Sequence, residues 1–406
     1  MHTARMRNTI PPALIGLVLA WLPCQSPAGG GAAPAAAAPG VAMAGVAAPS
    51  AEAPGVATPG ASSGMKLISL GSRAYVSSGT AARAYQSTRH DDWRSSGVPA
   101  TLAYDLSTVA EANRRRIYLV WYNDPTYGYD HTLAGGPGYN NPGSYTIEAN
   151  TAAGGRLPTT GWVTLESVAR NVLHSRDYVV PFAGYNWVRI NASASDGSPG
   201  NSDIVLNLDV YDASDGVTDG WLFAGDSITA SGMGHNDLSV HAESFTNQVG
   251  ALTGIYPAQQ NAGMGGWSSG DMLSRLPGWL QSFHGRYVTL SLGTNDAAGS
   301  VAPGAFHDNM AALVKQVLAA GKIPVVPTIP WSREPTHARN IPALNKQIQK
   351  LYKTFPSVIP GPDLYAYLEA NQGYISPDDV HPTEAGYAAI RTQWATVAAK
   401  SIYGGK

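Results

Sequence analysis

The hydrophobic pattern of this chain changes near residue 215, and that change constrains the fold more than any other feature. Before it, the sequence holds short runs rich in β-branched and aromatic residues, bounded by glycine, proline and asparagine. After it, apolar runs of strand length at 221–224, 287–292 and 323–329 show no alternation with polar residues. Such runs are typical of strands covered on both faces, as in a parallel sheet. The pattern therefore predicts two regions of different architecture.

The second region, residues 216–406, also contains the helices that a parallel sheet requires. Two stripes of apolar residues at helical spacing indicate these helices: Phe306, Met310, Leu313, Val314 and Val317, followed by Ile341, Leu344, Ile348, Leu351 and Tyr352. Alternation of strand and helix predicts an α/β domain of three layers, with helices on both faces of the sheet. In such sheets the ligand site lies beyond the carboxyl ends of the strands, and the polar motifs of this region occur there.

The first region, residues 65–215, is predicted to be an all-β sandwich. Strand-like runs occur at 117–123, 145–149, 162–168, 177–182 and 187–191. A further run at 203–211 alternates, with Leu206, Leu208 and Val210 on one side, which predicts a strand with one buried face. Several short strands of this kind in one region are typical of two packed antiparallel sheets.

The order of these runs also resembles a known family. The segments Ala-Tyr-Asp-Leu-Ser at 103–107, Ile-Tyr-Leu-Val-Trp-Tyr-Asn at 117–123 and Gly161-Trp162 are similar to those of galactose-binding-like (discoidin-type) jelly rolls, which are common in carbohydrate-binding modules. The resemblance implies a glycan-binding jelly roll. For its aromatic residues, burial of several of them in the core is favoured over sugar contact, because aromatic side chains dominate such cores. The candidate sugar contacts are Trp93, Tyr127 and Tyr129.

The N-terminus has the pattern of an export signal. Positive charges at Arg5 and Arg7, an apolar stretch over 10–22 and a small-residue site at 26–28 predict a signal peptide covering residues 1–28. The apolar stretch is shorter than the about 20 residues that span a bilayer, so no integral span is expected in the mature chain. An uncleaved anchor is the alternative. The expected location is secreted or periplasmic.

Composition excludes several classes of protein. Residues 29–64 are mainly alanine, proline and glycine, which predicts a disordered linker. The formal net charge of −2 gives no basic excess for binding nucleic acid. The one cysteine, Cys24, excludes an internal disulfide framework and lacks the preceding small residue expected of a lipoprotein anchor. No cysteine and histidine cluster has the spacing of a zinc site.

A candidate nucleophile follows the 221–224 strand in the motif Gly225-Asp226-Ser227. Glycine lets the backbone turn sharply at the strand end, which presents the serine at the start of the next segment. A serine hydroxyl needs a neighbouring base to take its proton and a third group to orient that base. The triplet alone favours a surface turn, because short matches of this kind are common by chance.

A candidate base and its orienting carboxylate occur together in Asp378-Asp379-Val380-His381-Pro382. Because Asp378 precedes His381 by three residues, one short turn can bring the two side chains together. Asp379 is the competing carboxylate, but an adjacent residue normally points away, so Asp378 is favoured. Either aspartate could instead cap the helix that is expected near Thr383.

Two further motifs offer hydrogen-bond donors for a developing oxyanion. These are Asn261-Ala262-Gly263-Met264-Gly265-Gly266 and Gly293-Thr294-Asn295-Asp296. A glycine loop presents an unobstructed backbone N–H group, and asparagine presents a side-chain amide. The alternatives are a tight turn for the glycines and a helix N-cap for Asn295.

Taken together, the serine, glycine, asparagine and histidine motifs resemble the four blocks of the SGNH subgroup of GDSL esterases and lipases. The motifs occur in that order, and the resemblance extends over about 190 residues. The resemblance implies a flavodoxin-like fold with Ser227 as nucleophile, His381 as base and Asp378 as its orienting group. It also implies an oxyanion hole formed by the Ser227 amide, the Gly266 amide and the Asn295 side chain. The implied mechanism is a two-step ester hydrolysis that needs no metal or organic cofactor.

The sequence constrains the substrate class less than it constrains the catalytic residues. A jelly roll before an SGNH domain resembles two-domain carbohydrate O-acetylesterases, which implies an acetylated glycan such as a polysaccharide or peptidoglycan. A lipase or aryl-esterase is the first alternative, with Met233, Met264 and Trp267 as candidates for an apolar acyl groove. A non-catalytic glycan-binding protein is the second. Trp331 could stack on a sugar ring or pack in the core.

Overall fold

The structure is a computed structural model of the chain. The residues that it describes are 64–79, 93–123, 140–196, 203–233 and 244–404. The predicted signal peptide and all but the last residue of the predicted linker lie outside these ranges, as do Tyr127 and Tyr129.

Within its described residues, the first region contains ten strands. They are β1 (Lys66–Leu67), β2 (Arg73–Val76), β3 (Trp93–Arg94), β4 (Ala100–Asp105), β5 (Arg116–Tyr122), β6 (Pro142–Asn150), β7 (Val163–Val168), β8 (Ser175–Pro181), β9 (Trp187–Ser195) and β10 (Val205–Asp212). One sheet has the order β1-β10-β5-β8, with β3 also on β10, and the other has the order β2-β4-β9-β6-β7. All pairs are antiparallel. The prediction of an antiparallel all-β region is confirmed, whereas jelly-roll connectivity stays a prediction.

The two antiparallel sheets share one buried core. Leu102 and Ile190 from one sheet lie in the same apolar cluster as Leu119 and Leu208 from the other. Trp93 belongs to this cluster and is 1% exposed. Its indole is therefore a core side chain, as the favoured interpretation of these aromatic residues predicts, and Trp93 is not a candidate sugar contact.

The expectation of one buried face for β10 is also wrong. Asn207 and Tyr211, on the side opposite Leu206 and Leu208, are buried as well. Tyr211 belongs to an apolar cluster that joins Tyr118 of the neighbouring strand β5 to Ala258 of the second region. The sheet that holds β5 and β10 is therefore covered by its partner sheet on one face and by the second region on the other.

The second region has five strands and eight helices within its described residues. The strands are β11 (Gly220–Gly225), β12 (Ala258–Gly263), β13 (Tyr287–Ser291), β14 (Ile323–Val326) and β15 (Ile359–Pro360). The helices are α1 (Ser227–Gly232), α2 (Phe245–Thr253), α3 (Ser269–Ser282), α4 (Thr294–Ala298), α5 (Pro303–Ala319), α6 (Pro335–Thr354), α7 (Leu364–Ala370) and α8 (Glu384–Ser401).

The five strands form one parallel sheet in the order β12-β11-β13-β14-β15. Leu222 and Ala224 of the central strand β11 share an apolar cluster with α3, α5 and α6. Trp221 and Phe223, which alternate with them, share another cluster with α2, α7 and α8. Helices therefore cover both faces, and the predicted α/β fold is confirmed.

Strand β12 was not predicted, because its sequence Ala-Gln-Gln-Asn-Ala-Gly is too polar for a buried strand. All six residues are nevertheless buried. Asn261 donates from Nδ2 to the carbonyl of Ala230 in α1 at 2.9 Å, and Gln260 accepts a hydrogen bond from Ser175 of the sandwich at 3.2 Å. Asn261 Nδ2 and Gln260 Oε1 thus have partners inside the protein, which offsets part of the cost of burial, whereas Gln260 Nε2 has no hydrogen-bond partner among the described residues.

Candidate active site

Ser227 lies at the carboxyl edge of the parallel sheet, at the first position of α1. Strand β11 ends at Gly225, and a side chain on that glycine would overlap the Thr229 hydroxyl and the Ser291 carbonyl. Asp226 caps the helix by accepting a hydrogen bond from the Ile228 amide at 3.0 Å. Glycine and aspartate therefore shape the turn that presents the serine.

His381 lies on a short loop whose two ends are held together by main-chain hydrogen bonds. Ile375 and Pro382 form an isolated antiparallel bridge, and the Ser376 amide donates to the His381 carbonyl at 2.8 Å. Thr383 then caps α8 by accepting a hydrogen bond from the Gly386 amide. Neither aspartate of the motif caps that helix, so the capping alternative does not apply.

The serine, histidine and aspartate side chains are joined by hydrogen bonds. Ser227 Oγ lies 2.9 Å from His381 Nε2, and His381 Nδ1 lies 2.7 Å from Asp378 Oδ2. The imidazole is 40% exposed and Ser227 is half-buried, so a substrate can reach both groups. A hydroxyl, an imidazole and a carboxylate linked in this order form the arrangement of a serine hydrolase.

The carboxylate of Asp378 is held in its ionised form. Partial burial acts to raise its pKa, but hydrogen bonds outweigh that effect and hold the pKa well below its usual range. The donors are the Ser376 hydroxyl at 2.7 Å, the amides of Val380 and His381 at 3.0 and 2.9 Å, and the His381 ring. A negative charge at this position favours an imidazole that carries its proton on Nδ1 and accepts one at Nε2.

Asp379, the competing carboxylate, points to another partner. Its Oδ1 accepts a hydrogen bond from Arg333 Nε at 2.7 Å, and its backbone is in the left-handed region with φ of 66°. Arg333 also donates to the carbonyls of Ile375 and Ser376 at 3.2 and 3.0 Å. Arg333 and Asp379 therefore fasten the loop that carries Asp378 and His381. Sequence reasoning missed Arg333, which lies 46 positions from Asp379 along the chain.

The two expected oxyanion donors lie at the same edge of the sheet as Ser227, Gly266 on a loop and Asn295 in α4. Gly266 follows β12, is exposed and has φ of 79°, a conformation that favours glycine. Asn295 follows β13, and its side-chain amide donates to the Trp267 carbonyl at 2.9 Å. That bond uses one of its two N–H groups and ties Asn295 to the residue after Gly266. Because β12 and β13 both pair in parallel with β11, their carboxyl ends lie beside the end that leads to Ser227.

Asp226 and Asp296 are buried carboxyls for which the motifs suggested no role. Burial raises the pKa of Asp226 to about 6, against the opposing hydrogen bond from the Ile228 amide. Asp296 accepts hydrogen bonds from the Ser269 amide at 2.9 Å and from the Ser269 hydroxyl at 2.5 Å. Asp296 thereby anchors the start of α3, directly after the loop that carries Gly266. Both residues could have been singled out in the sequence by their positions inside the motifs, since Asp226 precedes Ser227 and Asp296 follows Asn295.

The residues suggested for an acyl groove do not form one. Met264 and Trp267 belong to the cluster under α3, α5 and α6, whereas Met233 belongs to the cluster on the opposite face of the sheet. All three are buried. Trp331 is half-buried and packs against the same cluster as Met233.

Two classes of site are absent from the described part of the chain. Within it, no group of three or more histidine, cysteine, aspartate or glutamate side chains is placed to hold a metal ion. No helix there combines the length and the apolar character needed to cross a bilayer.

Residues 223–389 match the model of the GDSL-like Lipase/Acylhydrolase family. The matched segment contains Ser227, Gly266, Asn295, Asp378 and His381. The match covers most of the second region and none of the sandwich. A comparison with curated proteins gave no match.

Several solved structures are similar to this chain. A lipase/acylhydrolase from Enterococcus faecalis has 22% identity and a TM-score of 0.39, with 45% of this chain and 95% of that chain covered. The psychrotrophic esterase EstA from Pseudoalteromonas sp. has 19% identity and a TM-score of 0.38, with 45% and 98% covered. A carbohydrate esterase family 3 structure from Talaromyces cellulolyticus has 18% identity and a TM-score of 0.38, with 46% and 100% covered.

Proposed function

We propose that this protein is an exported serine esterase that removes O-acetyl groups from a polysaccharide or peptidoglycan. Ser227 is the nucleophile, His381 the general base and Asp378 the group that orients it. The observation that carries the esterase part is the continuous hydrogen-bonded path from Ser227 Oγ through the His381 ring to Asp378, at 2.9 and 2.7 Å. The family match over residues 223–389 supports the same chemistry.

The proposed reaction has two steps. His381 Nε2 takes the Ser227 proton as Oγ attacks the ester carbonyl, and the same proton then leaves with the alcohol. Water repeats the sequence on the acyl-enzyme and releases the acid. The Ser227 amide, the Gly266 amide and the Asn295 side chain stabilise the tetrahedral oxyanion, and one such donor contributes about 3–4 kcal/mol of barrier lowering.

Two features support a small acyl group on a large alcohol. Met264 and Trp267 are buried on one face of the sheet and Met233 on the other, so these three side chains do not together line a groove for a long acyl chain. The half-exposed His381 leaves the site open to a bulky substrate. The sandwich attached ahead of the catalytic region has the architecture of many carbohydrate-binding domains, which supports a glycan as the alcohol.

The substrate proposal is tested by measuring acetate release from acetylated xylan, peptidoglycan and exopolysaccharides, beside p-nitrophenyl esters of acetate and palmitate. We expect acetate release from at least one glycan and a kcat/KM for p-nitrophenyl acetate at least about tenfold above that for palmitate, because the three side chains suggested for an acyl groove are buried apart from one another and do not jointly bind the added methylenes. The Ser227→Ala variant serves as the blank. A preference for palmitate would support a lipase instead. Equal, slow turnover by both proteins would support the non-catalytic glycan-binding alternative.

A further inference from the structure

The sandwich contacts the catalytic region along β12, the strand that leads to Gly266. His174, just before β8, lies with Nε2 2.7 Å from the carbonyl of Asn261. His174 and Asn261 are 1% and 2% exposed. A carbonyl oxygen only accepts hydrogen bonds, so Nε2 of His174 is the donor. The sandwich thus holds the main chain of β12 two residues before that strand ends at Gly263.

Asn261 connects this contact to the nucleophile. Its side-chain Nδ2 donates to the carbonyl of Ala230 in α1 at 2.9 Å, and its Oδ1 accepts from the Gly263 amide at 2.9 Å. Helix α1 begins at Ser227. A side chain on Gly263 would overlap the Ala230 backbone, so helix and strand are in close contact here. A displacement of Asn261 therefore moves both α1 and the start of the Gly266 loop.

His174 is itself fixed in place from two sides. Its ring lies edge-on to Trp279 of α3, with ring centroids 5.2 Å apart. Three residues further along, the fully buried carboxylate of Asp177 accepts hydrogen bonds from the amides of His284 and Gly285 at 3.0 and 3.1 Å. The sandwich segment is therefore anchored at two points on the catalytic region, and these contacts hold the His174 imidazole against β12.

We infer that His174 of the sandwich is a positioning residue for the esterase reaction, which sets Asn261 and through it the spacing between Ser227 and the Gly266 amide. The inference rests on the proposed function. His174 touches no reacting atom and acts only through Asn261. The sandwich is then part of the catalytic apparatus in addition to any role in binding glycan.

The test compares three full-length variants with p-nitrophenyl acetate as substrate. His174→Phe keeps an aromatic ring against Trp279 but removes the donor to Asn261, and we expect kcat to fall by about 10- to 100-fold with KM nearly unchanged, because small misplacements of catalytic groups have effects of this size. His174→Gln restores a donor of similar reach and should recover most of kcat. Ser175→Ala removes the neighbouring contact to Gln260 and should leave kcat unchanged.

The outcomes separate this inference from the proposed function. Wild-type kcat in His174→Phe, or a loss that His174→Gln does not recover, overturns the positioning role. If the phenylalanine variant does not fold, His174→Asn takes its place in the comparison. The asparagine side chain is one methylene shorter than glutamine, so its amide reaches less far toward the Asn261 carbonyl. Equal kcat in the Asn and Gln variants then overturns the positioning role. Equal turnover by wild type and Ser227→Ala would instead overturn the esterase proposal itself.

Discussion

Replacing Ser227 by alanine is expected to lower kcat/KM for p-nitrophenyl acetate by about 10³-fold or more, the range seen when a serine nucleophile is removed. The change deletes the one oxygen that lies 2.9 Å from His381 Nε2. The fold should be unaffected, since the cap of α1 comes from the Asp226 side chain. Steady-state kinetics and thermal unfolding of the same preparation measure both effects.

The matched control for this variant is Ser357→Ala, which removes an exposed hydroxyl elsewhere in the catalytic region. It should retain wild-type kcat/KM. A Ser227→Ala protein that keeps its fold and more than about a tenth of wild-type activity would contradict the nucleophile assignment, because oxyanion donors and binding alone leave far less.

Replacing Asp378 by asparagine is expected to lower kcat by about 10²- to 10⁴-fold. The asparagine side-chain amide can donate a hydrogen bond to His381 Nδ1, which favours the tautomer that carries its proton on Nε2, and that nitrogen then cannot accept the Ser227 proton. In the wild type, hydrogen bonds from Ser376, Val380 and His381 outweigh partial burial and hold the pKa of Asp378 well below its usual range. Its carboxylate therefore stays ionised throughout the mildly acidic range, and protonation of Asp378 should not limit activity there. Activity measured across pH on both proteins checks this.

Asp379→Asn is the control for the neighbouring carboxylate. Asp379 binds Arg333 at 2.7 Å rather than His381, so its replacement should cost less than about tenfold, as expected for a half-exposed ion pair. A larger loss in the Asp379 variant than in the Asp378 variant would reverse the assignment of the orienting group.

Local patterns were sufficient to predict helices α5 and α6, the start of α8 and most strands. The stripe from Phe306 to Val317 lies on α5, and the stripe from Ile341 to Leu351 lies on α6, with every one of these apolar residues buried. Period and burial coincide because one face of each helix packs on the sheet. The short spacing between Asp378 and His381 likewise allowed their contact to be predicted, since one closed loop holds both.

Contacts between the two regions could not be predicted from local pattern. The sequence of β12 is polar, and the alternation in β10 predicts one solvent-exposed face. Both strands are nevertheless buried where the sandwich covers the parallel sheet. His174 and Asn261 are 87 residues apart in the chain. Neither residue has neighbours that indicate the other, because the contact exists only after both sheets have formed.

The central claim is that Ser227, activated by His381, attacks an electrophilic substrate. Reaction with diethyl p-nitrophenyl phosphate followed by peptide mapping by mass spectrometry tests it most directly. The account predicts one adduct, on Ser227, that is absent from Ser227→Ala and forms at least about 10²-fold more slowly in His381→Ala. An adduct on another residue, or labelling of Ser227 at the wild-type rate without His381, would contradict it.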